Sequence, residues 1–223
     1  MEYKRITLLC GHYGSGKTNI ALNMAYDIKE KCGNVVIADL DIVNPYFRTK
    51  DSAEELKNKG IRLIASEYAG SNVDIPAMPQ EMYSLTDDKT TFAVIDVGGD
   101  DRGALALGRI TPAIIEENNY EALMVINKFR PLTPDVNSTL EVMAEIETAC
   151  RLKMTGLVNN SNLGNETTPN DVLNSLEYAN AVAKATGLPL VCTAVNESIY
   201  SSLKGKIDNL LPLKLQSKIN ISL

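Results

Sequence analysis

A short segment near the start of the chain carries the residue types of a phosphate-binding loop. It fits the pattern G-x-x-x-x-G-K-[ST] with the residues Gly11-His12-Tyr13-Gly14-Ser15-Gly16-Lys17-Thr18. In such a loop, backbone N–H groups surround the β-phosphate, the lysine contacts the β- and γ-phosphates, and the hydroxyl binds Mg²⁺. The pattern predicts these roles for Lys17 and Thr18, and nucleotide contacts from Gly11 to Asn19. Residues 11–18 are called the P-loop below.

Two apolar segments further along the chain end in aspartates that could complete this chemistry. Residues 92–96 end at Asp96, as in a Walker B strand, whose carboxylate fixes the Mg²⁺ shell. The spacing Asp96-x-x-Gly99 is also typical of a switch, in which the Gly99 N–H would meet the γ-phosphate and hydrolysis would release it. The other segment ends in Asp39-Leu40-Asp41. An aspartate at a strand end is common, but the two strand ends and the switch spacing, following the P-loop in this order, together predict a nucleotide-hydrolysing site.

Apolar segments alternate with helical ones along most of the chain. Strands are predicted at residues 5–10, 34–39, 61–65, 92–97, 122–127, 155–159 and 189–194. Helices are predicted at residues 17–31, 51–59, 103–118, 134–151 and 169–186. This alternation predicts an α/β fold with a mostly parallel central sheet covered by helices on both faces. The length fits a single P-loop nucleotide-binding domain over residues 1–223.

Two regions depart from this alternation. Residues 66–91 form a long connector with a short helix predicted after Pro79, and it is either a functional loop or a solvent-facing insertion. From Leu213 to Leu223 apolar residues recur at every second position, which predicts a strand with one apolar face. That strand could join the sheet edge, pair with another subunit or pack on the core, and packing on the core is favoured.

Composition narrows the class of protein. The net charge is −6 and the pI about 5.0, so we expect no nucleic-acid partner held by bulk charge. The chain shows neither a signal peptide nor an apolar run of membrane-spanning length, so we expect a cytoplasmic protein. Four scattered cysteines argue against a metal cluster held within one chain, and Cys10 and Cys192 are expected to be buried in strands.

These motifs together resemble the MinD/ParA/CobQ–CobB class of P-loop proteins, which includes the nitrogenase iron protein. The resemblance extends from the P-loop to the strand near residue 159. It implies an ATPase, often a dimer with ATP between the subunits, in which Asp41 lies near the attacking water and Asp39 near the Mg²⁺ shell. The segment Gly156-Leu157-Val158-Asn159-Asn160-Ser161 is similar to the base-binding segment of that class. The resemblance therefore implies that Asn160, or its neighbour Asn159, hydrogen-bonds adenine.

The chain departs from this class at His12. MinD and ParA carry a lysine at this position of the loop, and it reaches the phosphates of the partner subunit. Imidazole lacks a fixed positive charge, so the sequence leaves the source of that charge open. Candidate substitutes are Arg48, Arg102 and Arg109, and Arg109 is more expected than Arg48 to be a surface residue.

The P-loop also resembles those of GTP-dependent nickel chaperones. Asn127-Lys128-Phe129-Arg130 is similar to the guanine-binding pattern N-K-x-D, but Arg130 replaces the aspartate that accepts from guanine. The segment also follows the first strand after Asp96, whereas that motif follows the next strand. We therefore predict ATP with Mg²⁺ as the cofactors rather than GTP.

The leading hypothesis is a slow, Mg²⁺-dependent ATPase that acts as a switch or maturation factor for a protein client. Lys17, Asp39 and Asp41 are its predicted catalytic residues, and Thr18, Asp39 and Asp96 its metal ligands. The alternatives are an ATP-dependent enzyme that activates a small carboxylate, a GTP-dependent or metallocluster chaperone, and a DNA-partitioning ATPase. The sequence leaves open the client and the oligomeric state, with a homodimer as one possibility.

Overall fold

A parallel sheet of eight strands forms the centre of the molecule. The structure, a computed structural model, describes residues 2–40, 52–65, 80–98, 103 and 107–215. The strands are β1 Ile6–Cys10, β2 Val35–Leu40, β3 Arg62–Ala65, β4 Phe92–Val97, β5 Tyr120–Ile126, β6 Gly156–Asn159, β7 Leu190–Asn196 and β8 Leu210–Leu213. Their order across the sheet is β3-β2-β4-β1-β5-β6-β7-β8, and every neighbouring pair is parallel. The predicted α/β class and the seven predicted strands are confirmed.

Helices fill most of the connections between the strands. Those within the described residues are α1 Lys17–Cys32, α2 Ala53–Asn58, α3 Ser84–Asp87, α4 Thr111–Glu117, α5 Val136–Cys150, α6 Pro169–Thr186 and α7 Glu197–Leu203. The short helix predicted after Pro79 is confirmed as a 3₁₀ turn, Gln80–Tyr83, followed by α3. The single helix predicted over residues 103–118 is wrong, because residues 108–110 form a turn before α4. Pro112 explains the break, since proline inside a longer helix would remove a hydrogen bond and clash with the preceding turn.

Alternation along each strand divides the core between the two faces of the sheet. In β1, Leu9 packs with Ile20 and Ile28 of α1, whereas Leu8 packs with Ile114 of α4 and with residues of α5 and α6. A sheet buried on both faces is what parallel strands with helical crossovers require. The face that α1 covers is called the α1 face below, and the other is called the α6 face.

The connections diverge at the centre of the sheet. After β1 the chain runs through α1 to β2 on one side, and after β5 it runs through α5 to β6 on the other. Ligands of open α/β sheets bind at such a switch point, in the crevice beyond the carboxyl ends of the strands. The P-loop follows β1 and the turn at residues 127–133 follows β5, so the topology brings both to one crevice.

A buried arginine links several elements at the amino ends of the strands, the end of the sheet opposite the P-loop. The guanidinium of Arg5 is almost fully buried, pairs with the Glu117 carboxylate at the end of α4, and donates to the carbonyls of Leu85, Asp88 and Thr91. The charge is thus compensated and its donors are used, as burial of an ion requires. Within the described ranges, no helix is both long and apolar enough to cross a membrane.

Candidate functional site

The P-loop turns away from β1 through glycines that lie against neighbouring backbone and side chains. Gly11 has a φ of 146°, and a Cβ there would lie 2.6 Å from the carbonyl oxygen of Val125 in β5. Gly16, the residue before α1, has a φ of 92°, and its Cβ would lie 2.2 Å from Asn160 Nδ2. Both positions therefore exclude a side chain by space as well as by backbone conformation.

Lys17 lies over the inside of this loop. Its Nζ donates to the carbonyl oxygens of Gly11, at 2.9 Å, and His12, at 3.2 Å, and the side chain is almost fully buried. The ammonium is therefore held beside the loop backbone. A phosphate bound there could replace the two carbonyl oxygens as its hydrogen-bond acceptor. Cys10 just before the loop stays protonated, because contact with the Cys150 thiol and burial raise its pKa well above the usual range.

Two buried aspartates lie near the carboxyl ends of β2 and β4, of which β4 is the neighbour of β1. Asp39 of β2 and Asp96 of β4 are direct partners in the parallel register, and Asp96 also pairs with Leu9 of β1. Their positions along the strands place both side chains on the α1 face, the face on which Lys17 and Thr18 begin α1. Two carboxylates and a threonine hydroxyl are oxygen ligands of the kind that Mg²⁺ prefers. The residues predicted to hold the metal are thus brought to one edge of the sheet.

The two candidate base-binding asparagines follow one another and therefore point to opposite faces. Asn159 lies on the α6 face, where its Nδ2 donates to Ser175 Oγ at 2.8 Å and its Oδ1 accepts from the Ser161 N–H. The Asn160 side chain lies on the α1 face and donates from Nδ2 to the Ser15 carbonyl oxygen at 2.7 Å. Asn160 lines the cleft described below and Asn159 does not. Of the two candidates, the structure thus brings only Asn160 to the cleft beside the P-loop.

The P-loop and the carboxyl ends of β6 and β7 enclose a cleft of about 730 Å³. On the loop side it is lined by Tyr13, Gly14, Gly16, Lys17, Thr18, Asn19 and Arg130. On the other side it is lined by Asn160, Ser161, Asn162, Gly164, Asn165, Thr167, Val172, Ala194, Val195, Asn196, Leu213 and Leu215. No carboxylate occurs among these described lining residues. The cleft thus has a cationic end at the P-loop and a neutral end built from amides and aliphatic side chains.

Other predicted site residues lie around this cleft or outside the described ranges. Gly11, His12 and Ser15 belong to the loop but do not line the cleft, and His12 Nδ1 lies 3.0 Å from the Tyr13 carbonyl oxygen. Arg109 is exposed in the turn before α4, as expected of a surface residue. The remaining predictions lie outside the described residues: Asp41, Gly99, Arg48, Arg102, positions 66–79 of the connector and positions 216–223 of the tail. Of the tail, Leu213 ends β8, which joins the sheet edge beside β7.

Among the described lining residues that the sequence does not assign to the site, Arg130 is the charged one. Arg130 was considered only as a departure from the N-K-x-D pattern, yet its guanidinium lies beside Gly14 of the P-loop. Asn127 of the same segment is fully buried and accepts from the Phe129 N–H with its side-chain oxygen, so it shapes the turn. Only the strand order indicates Arg130 as a cleft residue, because β5 becomes the neighbour of β1 in the folded sheet.

Comparisons with known proteins show the fold of this chain. No family model and no curated protein matches it. The cell division protein FtsY of Thermotoga maritima is similar in structure, with a TM-score of 0.60, 18% identity, and coverage of 86% of this chain and 62% of that one. FtsY of Mycoplasma mycoides gives a TM-score of 0.59 at 18% identity, over 88% of this chain and 61% of that one.

A third similar structure contains a nucleotide. The signal recognition particle 54 kDa protein of Aeropyrum pernix K1, in complex with GDP, gives a TM-score of 0.54 at 17% identity, over 86% of this chain and 41% of that one. This chain spans less than two thirds of the length of each of the three proteins. At these identities the similarity concerns the fold, and membership of the MinD/ParA/CobQ–CobB class stays a prediction. The chain has the α/β fold of P-loop nucleoside triphosphatases.

Proposed function

We propose that this protein binds a nucleoside triphosphate with Mg²⁺ in the cleft and acts as a slowly hydrolysing, nucleotide-dependent switch. The observation that carries the proposal is the position of Lys17, beside a glycine-turned loop and on the sheet face that also carries Asp39 and Asp96. A cation, a hydroxyl and two carboxylates at the switch point of a parallel sheet form a set suited to a metal-bound polyphosphate.

Each residue has a distinct role in this proposal. Lys17 would leave the carbonyls of Gly11 and His12 and donate to the β- and γ-phosphates, where it opposes the charge that develops during transfer. Thr18, Asp39 and Asp96 would hold Mg²⁺, which would supply positive charge against the phosphates when bound. Asp41 would orient the attacking water, and Gly99 would meet the γ-phosphate. Slow turnover fits a site that a protein partner completes.

The neutral end of the cleft favours adenine as the base. A guanine-selective site commonly supplies a carboxylate that accepts from guanine N1 and N2, and the described lining residues contain none. Asn160 uses its Nδ2 on the P-loop, which leaves Oδ1 as the side-chain acceptor for an amino group such as adenine N6. The apolar neighbours Ala194, Val195 and Leu213 offer a surface for the purine ring.

GTP is the second candidate, because two similar proteins were determined in complex with GDP. They are the Aeropyrum pernix 54 kDa protein and FtsY of Elizabethkingia anophelis, the latter at a TM-score of 0.53 and 14% identity. Competition between ATP and GTP for the same protein distinguishes the two bases. Preference for GTP would contradict the role given to Asn160 and leave the role of the P-loop intact.

Replacing Lys17 by alanine tests the site. Each charge-assisted hydrogen bond contributes about 1.5–3 kcal/mol, so losing two phosphate contacts should weaken ATP binding by roughly a hundredfold or more. The matched control is Lys31→Ala, which removes the same charge from the last turn of α1, about 21 Å along the helix axis from Lys17. Equilibrium titration with a fluorescent ATP analogue measures both variants. Undiminished affinity in Lys17→Ala would overturn the proposal.

A further inference from the structure

The turn after β5 fixes the backbone on both sides of Arg130. The Arg130 N–H donates to the Asn127 carbonyl at 3.1 Å, and the Thr133 N–H donates to the Arg130 carbonyl at 3.1 Å. Thr133 Oγ1 also donates to the Asn127 carbonyl at 2.8 Å, and both Thr133 and Asn127 are buried. The turn therefore presents the Arg130 side chain from a rigid base, which lowers the entropy lost when that side chain binds a ligand.

The guanidinium of Arg130 lies over the P-loop at the wall of the cleft. Cζ and Nε are both 3.7 Å from the position that a Cβ on Gly14 would occupy. The side chain lines the same cleft as Lys17 and Thr18. The two distances of 3.7 Å are ordinary van der Waals distances, so the guanidinium lies directly against the loop. Two cationic side chains from different strands, Lys17 after β1 and Arg130 after β5, thus border one loop.

Within the described residues, this guanidinium has no anionic partner. None of the ion pairs there includes Arg130, and its Nε is buried without a hydrogen-bond acceptor. Guanidinium stays charged in proteins, and a buried donor without an acceptor costs free energy. An anion entering the cleft beside Gly14 would supply the missing acceptor. The planar fork of arginine suits phosphate oxygens in particular.

We propose that Arg130 is a phosphate-binding residue that contacts the phosphate chain of the bound nucleotide alongside Lys17. The inference rests on the proposed function, because the ligand it describes is the nucleotide of that cleft. It also answers the question raised by His12, since the second positive charge would come from the turn after β5 of the same chain. Binding through Arg130 would not require a partner subunit.

The test compares the affinities of three variants for ligands with different numbers of phosphates. Arg130→Gln should weaken ATP and ADP binding by about tenfold to a hundredfold, the range for losing a hydrogen bond to a charged group. Arg130→Lys keeps the charge and should recover part of that loss. Lys128→Gln is the matched control. It removes one charge two residues from Arg130, and the Lys128 side chain does not line the cleft. Its affinities should stay within about threefold of wild type.

Adenosine separates a phosphate contact from a merely structural role. Adenosine bears no phosphate, so Arg130→Gln should leave adenosine binding unchanged while ATP binding falls. An equal loss for both ligands, or wild-type affinity of Arg130→Gln for ATP, would overturn the inference. If wild-type protein binds no nucleotide, the proposed function itself fails. If binding is lost in Lys17→Ala but kept in Arg130→Gln, only the role of Arg130 fails.

A second measurement uses the unaltered protein and does not depend on how a variant folds. Phenylglyoxal modifies arginines, and peptide mass analysis reports the extent at each position. ATP and inorganic tripolyphosphate should both protect Arg130, whereas adenosine should not. Arg109 and Arg151, which are exposed and do not line the cleft, serve as internal controls that stay reactive. Unchanged labelling of Arg130 under saturating tripolyphosphate would contradict the proposed contact.

Discussion

Replacing Gly16 by alanine probes the contact between the P-loop and the strand that carries the proposed base-binding residue. Gly16 has φ 92° and ψ 20°, and an added Cβ would lie 2.2 Å from Asn160 Nδ2. That nitrogen donates to the Ser15 carbonyl oxygen at 2.7 Å, and Asn160 is 3% exposed. The methyl group must therefore displace a buried amide and break its hydrogen bond.

The expected cost has two parts. Placing a side chain in the left-handed region costs about 1–2 kcal/mol. Displacing the Asn160 amide from its acceptor while it remains buried costs about 1–3 kcal/mol. Gly16→Ala should thus lower the free energy of unfolding by about 2–5 kcal/mol, a large share of the 5–15 kcal/mol typical of a domain.

Gly187→Ala separates the two parts of this cost. Gly187 ends α6 with φ 71° and ψ 8°, and nothing lies within 4 Å of its Cβ position. Gly187→Ala should show the backbone cost alone. The gain from a less flexible unfolded chain should be the same as for Gly16→Ala. Urea denaturation of both variants, of Asn160→Ala and of the double variant Gly16→Ala/Asn160→Ala gives the coupling between positions 16 and 160. We expect a coupling of about 1–3 kcal/mol, because without the amide the methyl group has room.

Two results would refute this reasoning. The first is a Gly16→Ala variant no less stable than Gly187→Ala. The second is strict additivity of Gly16→Ala and Asn160→Ala, which would mean that the amide does not occupy the space beside Gly16. Either result would separate Asn160 from the P-loop and remove the structural link between the base and phosphate ends of the cleft.

Two further predictions concern the fold away from the cleft. Glu117→Gln leaves the buried Arg5 charge without its anion. It should therefore lower the free energy of unfolding, measured in urea, by about 3–5 kcal/mol and leave ATP affinity unchanged. A loss below about 1 kcal/mol would contradict the pairing. Asp88 should contribute a pH-dependent stability, because hydrogen bonds from the Thr90 and Thr91 side chains and the Thr90 N–H lower its pKa to about 2. Since its pKa in the unfolded chain is about 3.9, the contribution is present above pH ~4 and is lost as the pH falls toward 2. Urea unfolding at stepped pH should therefore show a steeper loss for wild type than for Asp88→Asn, and parallel curves would contradict this origin of the shift.

The elements that could be predicted from the sequence are those in which local pattern and tertiary structure agree. The central strands were found because both their faces are buried, which leaves continuous apolar runs such as those of β1 and β4. The P-loop is recognisable in the sequence because phosphate binding restricts residue types at fixed spacing. Even the choice between Asn159 and Asn160 was within reach, since alternation along β6 sends neighbouring side chains to opposite faces.

Other features depended on context that the sequence does not display. β8 was not predicted, since the period-two pattern places the last strand from Leu213 onward, whereas β8 ends at Leu213. It includes Pro212, which is tolerated because β8 lies at the sheet edge. The break before α4 was missed because the helical pattern continues across Pro112. Arg130 was missed because its closeness to Gly14 arises from the pairing of β1 with β5, over a separation of more than a hundred residues.

The most direct test of the central claim is calorimetric titration of the wild-type protein with ATP, ADP and GTP in the presence of Mg²⁺. We predict one site per chain, tighter binding of ATP than of GTP, and ATP binding weakened about a hundredfold or more in Lys17→Ala. Absence of binding by all three nucleotides to the wild-type protein, or equal ATP affinity in Lys17→Ala, would contradict the claim.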